Sequence, residues 1–255
     1  VSYNTNIRFN SPLTDYDMMD SYRFMHYYND ARTNGGQAAY FSDEQIANVL
    51  AYQRGEVGKI IPVTTSNTYT HNWANANTDW YDVFFKDHAM SQEHSLSLSG
   101  GTERFSYYLS GNFMDQEGLL NYADESYYRY SVNGKINAKI NKNISLSYNT
   151  KWFRTNYEAP SYLNQLFFHQ IMRKWPNAFV TDPQGYWADN SEIIPLKEGG
   201  RMKEDLDQNF QQLQLDVTPL PGWNIHLQGN MRITTNFTLN STCKCNRILI
   251  NNLFK

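Results

Sequence analysis

Two neighbouring alternating stretches constrain this chain more than any other feature. Residues 91–118 read as two strands joined by a tight turn at Gly100-Gly101. Apolar residues share one face of the pair, and serines, Asn112 and Tyr108 occupy the other; the apolar positions are His94, Leu96, Leu98, Phe105, Tyr107, Leu109 and Phe113. A period of two places one face in an apolar medium and the other in a polar one. The apolar medium is either a protein core or a lipid bilayer.

The same alternation recurs along the chain and predicts seven strands. The five further stretches are residues 1–10, 128–140, 144–152, 207–218 and 223–234. These strands run to about 10–15 residues, whereas strands of globular proteins average about 5–6 and a tilted bilayer crossing needs about 9–11. Strand length therefore favours lipid over a soluble sandwich with one solvated face.

The connections between the predicted strands alternate between long and tight. Residues 11–92 and 157–206 form long irregular connections, whereas Gly-Gly-Thr-Glu, Asn-Lys-Asn and Pro-Leu-Pro-Gly form tight turns. Outer-membrane barrels show this asymmetry, with short periplasmic turns and long outer loops. The sequence thus predicts an all-β fold, part of an antiparallel transmembrane β-barrel. Seven strands alone would leave two unpaired edges, so we expect the chain to be one part of the barrel.

The ends of the apolar face are rich in aromatic residues, as in an interfacial girdle. The predicted outer group is Phe113, Tyr128, Tyr130 and Trp152, and the predicted inner group is Phe105, Tyr107 and Trp223. The opposite face carries charged residues that suit a water-filled lumen and would be costly in lipid: Arg129, Lys135, Lys139 and Lys151.

Three short helices are predicted within the long connections. Residues 16–32 have apolar side chains at helical spacing, with Asp15 or Asp17 as the N-cap and Gly35-Gly36 as the stop. Ser42 and Gln45 form a capping box before a second helix. Residues 163–175 predict a third helix, ended by Pro176.

Several aromatic residues of these connections are candidates for contact with a ligand or a lipoprotein. They are Trp73, Trp80, Tyr81, Trp175, Tyr186 and Trp187. Packing of each long connection onto itself explains the same residues without any ligand, and the sequence leaves both interpretations open.

Composition excludes several classes of protein. The net charge of −3 gives no basic face for nucleic acid, and 15% aromatic residues argue against disorder. No apolar run is long enough for a transmembrane helix, although a barrel strand would give only a weak alternating signal.

Six dispersed histidines form no metal-spaced pair, and Cys243 and Cys245 have no second pair to complete a zinc site. We therefore expect no enzyme, cofactor or metal site.

The two ends of the sequence carry expectations of their own. Val1 opens directly into a strand, so we expect an interior piece of a longer protein. Residues 241–255 resemble nothing before them, and we expect an atypical tail that is truncated or out of frame.

A family likeness rests on a series of motifs rather than on any one of them. The series is Asn77-Thr-Asp-Trp-Tyr-Asp-Val-Phe-Phe85, His94-Ser-Leu-Ser-Leu-Ser-Gly-Gly-Thr-Glu-Arg104, Tyr107-Tyr108, Asp115-Gln-Glu-Gly118 and Tyr128-x-Tyr130-x-Val132-x-Gly134. It closely resembles the SusC/RagA-type TonB-dependent outer-membrane transporters of Bacteroidetes, over residues 1–240. The resemblance implies about the first third of a barrel of about 22 strands around a plug.

The resemblance also implies a function and partners. It implies import of glycans or peptides, with a SusD-like lipoprotein as a lid and the TonB–ExbB–ExbD complex acting on a plug that would precede residue 1. Outer-membrane lipid would surround the wall. The alternative is a secreted carbohydrate-binding all-β module with exposed aromatic platforms, which would be soluble without detergent.

Overall fold

Seven strands form one antiparallel sheet in which sequence order is also spatial order. The computed structural model describes residues 1–13, 17–59, 74–182, 185–188 and 191–241. The strands are β1 (Ser2–Asn10), β2 (Ala89–Gly101), β3 (Phe105–Glu117), β4 (Ser126–Asn141), β5 (Ile144–Pro160), β6 (Arg201–Leu220) and β7 (Trp223–Asn240). The helices are α1 (Ser21–Asn34), α2 (Asp43–Gln53), α3 (Trp80–Phe84), α4 (Gln165–Met172) and α5 (Ile193–Glu198). The predicted all-β antiparallel fold is confirmed.

The strand register confirms the two predicted faces. His94 pairs with Phe113, Phe113 with Tyr130, and Val132 with Trp152, so these side chains share the apolar face. Phe113 lies 5.1 Å from Tyr130 between ring centroids, and Phe105 lies 6.2 Å from Tyr107. Part of each predicted aromatic group is therefore in ring contact, on β3 and β4 at the outer end and within β3 at the inner end.

The strands are longer than the alternation predicts, because polar side chains occupy both faces near the long connections. The connection predicted at residues 157–206 is present but its bounds are wrong, since β5 continues to Pro160 and β6 begins at Arg201. On the otherwise apolar face of this region, Arg154 donates to Asp207 at 2.8 Å and Asn156 to Asp205 at 2.7 Å. Cross-strand polar pairs extend the ladder where the apolar pattern has ended. The first long connection likewise ends earlier than predicted, since β2 begins at Ala89.

Helix α1 begins later than the spacing of apolar residues predicts. Its N-cap is Asp20, whose carboxylate accepts from the Arg23 amide at 2.9 Å, so the predicted cap at Asp17 is wrong and Asp15 lies outside the described residues. The capping box of α2 is confirmed, with Gln45 N–H donating to Ser42 at 3.2 Å and Ser42 N–H to Gln45 at 2.9 Å. The predicted third helix is shorter, running from Gln165 to Met172 after the Asn164 cap.

The buried apolar residues lie at the end of the sheet that bears the long connections. One cluster centres on Trp80, Phe84 and Phe167, and a second on Met25 and Phe41. Both faces of the sheet are uncovered: Leu96 on the apolar face is 53% exposed, and Tyr108 on the polar face is 45% exposed. No described helix has the length and apolar character to cross a bilayer. The chain thus consists of a bare two-faced sheet and a packed layer of loops and short helices, called the loop layer below.

Candidate functional site

Hydrogen bonds between side chains run across the polar face of the sheet. They join polar residues that the antiparallel register places opposite one another. The pairs are Asn112 to Ser95 at 2.8 Å, Asn133 to Ser110 at 3.3 Å, Asn137 to Ser106 at 3.2 Å, and Asn149 to Gln212 at 2.8 Å. Because each amide is tied to the neighbouring strand, this face is a pre-arranged hydrophilic wall rather than a set of freely rotating side chains.

Glu93 forms ion pairs with two arginines of the polar face, near the end of the sheet that bears the loop layer. Its carboxylate lies 3.4 Å from Arg8 and 3.3 Å from Arg129, and it accepts from Asn112 at 2.9 Å. The three charged side chains lie on three different strands, so the carboxylate links β1, β2 and β4. Beside it is an open hollow of about 430 Å³, whose lining residues are Glu93, Asn112, Arg129, Ser131, Lys151 and Phe153.

In the loop layer, the two long connections are joined by backbone hydrogen bonds. Ala76 N–H donates to the carbonyl of Asn177 at 3.1 Å, and Thr78 N–H donates to that of Pro176 at 2.7 Å. The Thr78 hydroxyl donates to the carbonyl of Ala178 at 2.6 Å. These bonds run between segments about a hundred residues apart in sequence. The two connections therefore pack as one unit.

Asn77 anchors helix α1 to this junction. Its side-chain oxygen accepts from both the amide and the hydroxyl of Ser21, at 2.9 and 3.1 Å. Ser21 is fully buried and also accepts from the Gln53 amide at 3.3 Å. A buried amide needs such a partner, so Asn77 fixes where α1 enters the layer.

A nearly buried ion pair lies beside Trp80, the most buried tryptophan of the described residues. Lys174 Nζ is 2.6 Å from Glu192 Oε2 and 4.7 Å from the centre of the Trp80 ring, with side-chain exposures of 16% for Lys174 and 10% for Glu192. Burial, and then the Glu192 carboxylate, raise the pKa of the nearby Tyr162 hydroxyl. A cavity of about 240 Å³ opens next to the pair, between Gln170, Arg173 and Ser191.

The structure separates the six predicted contact residues by their accessibility. Trp80 is 2% exposed, and its indole N–H donates to the Trp175 carbonyl at 2.9 Å. Trp175 packs against Phe24 and Tyr28, and Trp187 lies 5.5 Å from Tyr122. Tyr81 is partly exposed and stacks on Phe85 at 4.3 Å, whereas Tyr186 is 73% exposed. Trp73 lies outside the described residues.

Two carboxylates that organise these surfaces are absent from the sequence-based candidates. Glu93 lies at a polar position of the opening hairpin, where alternation marks its face but not its partners on β1 and β4. Glu192 stands in an irregular segment with no periodic signal. In the described ranges, no three histidine, cysteine or acidic side chains are arranged to hold a metal ion.

Comparison with known proteins identifies similar chains. No protein-family model matches the sequence. The TonB-dependent receptor P3 of Formosa agariphila is 28% identical over 100 residues, which are 38% of this chain and 10% of the receptor. Structures of the RagAB peptide importer in the 'closed-closed' and 'open-open' states match at 19% identity, with TM-scores of 0.66 and 0.67. Each match covers 93% of this chain and 28% of the importer chain.

These matches confirm the resemblance to SusC/RagA-type TonB-dependent transporters on which the sequence motifs converge. The sheet has the fold of a part of the barrel of such a transporter. The matched residues span about a tenth of the length of the curated relative, and the chain covers just over a quarter of the structural neighbours.

Proposed function

We propose that this chain forms, over residues 1–240, the first part of the barrel wall of a TonB-dependent outer-membrane importer of oligomeric nutrients, either glycans or peptides. One observation carries the proposal: the apolar face of the sheet is exposed along its length, while the buried apolar residues gather in the loop layer. A soluble sandwich would cover that face with a second layer, because a sheet with one apolar face has to bury it. Lipid would bury it instead.

The lengths of the connections indicate which end of the sheet faces outward. The tight turns after β2, β4 and β6 lie at one end of the sheet, and the loop layer lies at the other. In an outer-membrane barrel the short turns face the periplasm and the long loops face outward. Side chains such as Leu109 and Leu227 then face lipid. The hydrogen-bonded asparagine and serine side chains of the polar face then face a water-filled lumen.

The loop layer supports the proposal of a partner at the outer surface. Several apolar side chains of α4 and α5 are exposed although the opposite sides of these helices are buried: Leu166, Phe168, Met172 and Ile194. In the proposed assembly a SusD-like lipoprotein lies over this layer. Tyr186, the exposed member of the described set, and the half-buried Tyr81, Trp175 and Trp187 remain candidates for contact with the lipoprotein or with cargo. The TonB–ExbB–ExbD complex acts through the plug of the complete transporter.

The orientation can be tested by cysteine labelling in whole cells. In a background with Cys243 and Cys245 changed to serine, Tyr186→Cys and Lys142→Cys report on the loop layer and on the β4–β5 turn. A membrane-impermeant maleimide should label the first in intact cells and the second only after the outer membrane is permeabilised. Labelling of Lys142→Cys in intact cells, or recovery of the protein in the soluble fraction, contradicts the proposal and favours a secreted module.

A further inference from the structure

Strands β5, β6 and β7 extend well beyond the outer aromatic group of the apolar face. Trp152 pairs with Asn209, and Asn209 with Ile233, so one row of residues marks this level on all three strands. From Trp223 to Ile233, β7 covers about 34 Å along the strand, or about 25 Å in height for a tilt of about 40°, which is the height of the apolar band of a barrel. Beyond that row, β5 continues to Pro160. The sheet therefore projects past the proposed lipid boundary by about 20 Å.

The lipid-facing side of the sheet becomes polar in this projection. Three cross-strand pairs of β5 and β6 lie on it and are called the outer patch below: Arg154 with Asp207, Asn156 with Asp205, and Glu158 with Lys203. Arg154 donates to Asp207 at 2.8 Å, and Asn156 donates to Asp205 at 2.7 Å. Glu158 forms its ion pair with Arg201 at 3.1 Å, so Lys203 has no ion-pair partner among the described residues. With Arg201 included, positive and negative side chains balance, and the patch would not repel an anionic headgroup.

Completion of a barrel leaves the outer patch uncovered. Within this chain β5 and β6 are flanked by β4 and β7. Further strands would pair with the free edges of β1 and β7, and a plug would lie against the opposite, lumen-facing side. Neither addition reaches the outward side of β5 and β6. The side chains of Arg154 and Glu158, which are 45% and 43% exposed, therefore stay accessible from outside the barrel.

The lower part of the outer patch lies at the height of lipid headgroups. Arg154 and Asn156 follow Trp152 at two and four residues along β5, which places them about 5 and 10 Å higher on a strand tilted by about 40°. The headgroup region extends about 5–8 Å beyond the hydrocarbon on each side of a bilayer. The outer leaflet of an outer membrane is built of glycolipid, whose headgroup is a phosphorylated saccharide. Sugar rings are therefore the groups that meet the patch.

We propose that the outer patch binds the sugar headgroup of the outer-leaflet glycolipid. Amide and carboxylate groups held in cross-strand pairs present donors and acceptors at fixed positions to sugar hydroxyls, and Lys203 pairs with a headgroup phosphate. Phe237, which pairs with Asp205 and is 53% exposed, adds an apolar surface for the C–H face of a sugar ring.

The chemistry of the patch favours this occupant over a protein. The centre of a protein–protein interface is depleted of charged residues, whereas the centre of the outer patch consists of them. The patch is also continuous with the side of the sheet that faces lipid in the proposed function. The inference rests on that function and assigns a role to the part of the wall above the hydrocarbon.

Thermal midpoints of the complete transporter in detergent, measured by heat-shifted mobility on gels, test the proposal. The added lipids are a rough lipopolysaccharide, which retains its core sugars, and phosphatidylglycerol, which is anionic but carries no sugar. We expect lipopolysaccharide to raise the midpoint more than phosphatidylglycerol does. Asn156→Ala/Asp205→Ala should lose at least half of that difference, measured against the midpoint of the same variant without lipid.

Two further variants separate lipid binding from folding. Asn149→Ala/Gln212→Ala removes a hydrogen-bonded pair between the same two strands on the lumen-facing side and should keep the full response. Lys203→Gln leaves both cross-strand hydrogen bonds of the outer patch in place and should lose part of the response.

The outcomes are distinct. An equal rise with phosphatidylglycerol, or a response to lipopolysaccharide that both outer-patch variants retain in full, overturns the proposal. If the outer-patch variants retain that response but no longer copurify with the lipoprotein, the patch is a protein interface instead.

Failure of the proposed function shows in a different measurement. The labelling of Tyr186→Cys and Lys142→Cys in whole cells needs no added lipid. A correct orientation combined with no preference for lipopolysaccharide rejects only the inference about the outer patch, whereas a wrong orientation rejects the proposed barrel wall as well.

Discussion

The ring of Tyr107 lies over the Cα atom of Gly100, its partner across the β2–β3 hairpin. A Cβ atom at position 100 would come within 2.6 Å of the Tyr107 hydroxyl oxygen and 2.9 Å of the ring. Close approach of an aromatic ring to a strand glycine is a known way to compensate for the missing side chain. The glycine thus gives the ring its place on the apolar face, next to Phe105 at the turn end.

The first prediction concerns this contact. Gly100→Ala should lower the thermal midpoint of the membrane-inserted protein slightly, because the end of the Tyr107 ring must move aside, at a cost of about 1 kcal/mol, the low end for overpacking. Heat-shifted mobility on gels measures the midpoint. Gly111→Ala is the matched control, since Gly111 lies in β3 and a Cβ there meets no atom within 4 Å. Equal midpoints for the two variants would contradict the packing role of Tyr107.

The second prediction compares Trp80, which is buried in the loop layer, with Tyr186, which is exposed on it. Trp80→Ala should loosen the loop layer, since removal of a buried tryptophan costs about 3–5 kcal/mol. Tyr186→Ala removes a side chain that is 73% exposed and should leave the layer intact. Limited proteolysis of whole cells measures both effects. If Tyr186→Ala lowers uptake or lipoprotein binding while proteolysis is unchanged, its predicted contact role is supported.

The third prediction concerns the ion pair of the loop layer. Lys174→Met should leave Glu192 as a nearly buried, unpaired charge, and loss of one partner of such a pair costs about 3–5 kcal/mol. The double variant Lys174→Met/Glu192→Leu should recover most of the lost resistance to proteolysis, because no charge then remains unpaired. A double variant as sensitive as Lys174→Met would show that the lysine acts through its contact with Trp80 instead.

The fourth prediction concerns the anchor of α1. Asn77→Ala removes the acceptor of two hydrogen bonds from buried Ser21 and should cost about 1–3 kcal/mol. Hydrogen exchange of the amides of α1 should accelerate, while that of β3 and β4 stays unchanged. Asn77→Asp keeps an acceptor of the same shape and should retain most of the protection. Loss of protection in both variants alike would show that the acceptor is not what holds α1.

The difference between predicted and observed boundaries has a physical origin. Alternation locates a strand only where its two faces meet different media, so it locates β2, β3 and the middle of β4 closely. Near the loop layer both faces of β5 and β6 are polar, with Arg154 paired to Asp207, and the alternating signal ends before the strand does. The spacing of apolar residues misplaces the start of α1 for a related reason: helical spacing does not identify which of several aspartates will cap the helix.

The sequence by itself determined the strand count, the two faces, the tight turns and the family likeness, because each follows from residues close together along the chain. Only the tertiary structure decided how the loop aromatics are used, since the burial of Trp80 depends on Trp175 and Lys174, which lie almost a hundred residues away. It also decided which charged side chains of the polar face are neighbours. Lys135 and Lys151 become neighbours through the β4–β5 register, and Glu93 reaches Arg8 and Arg129 through two different strand pairings. Distances across a sheet are set by pairing, which no local pattern contains.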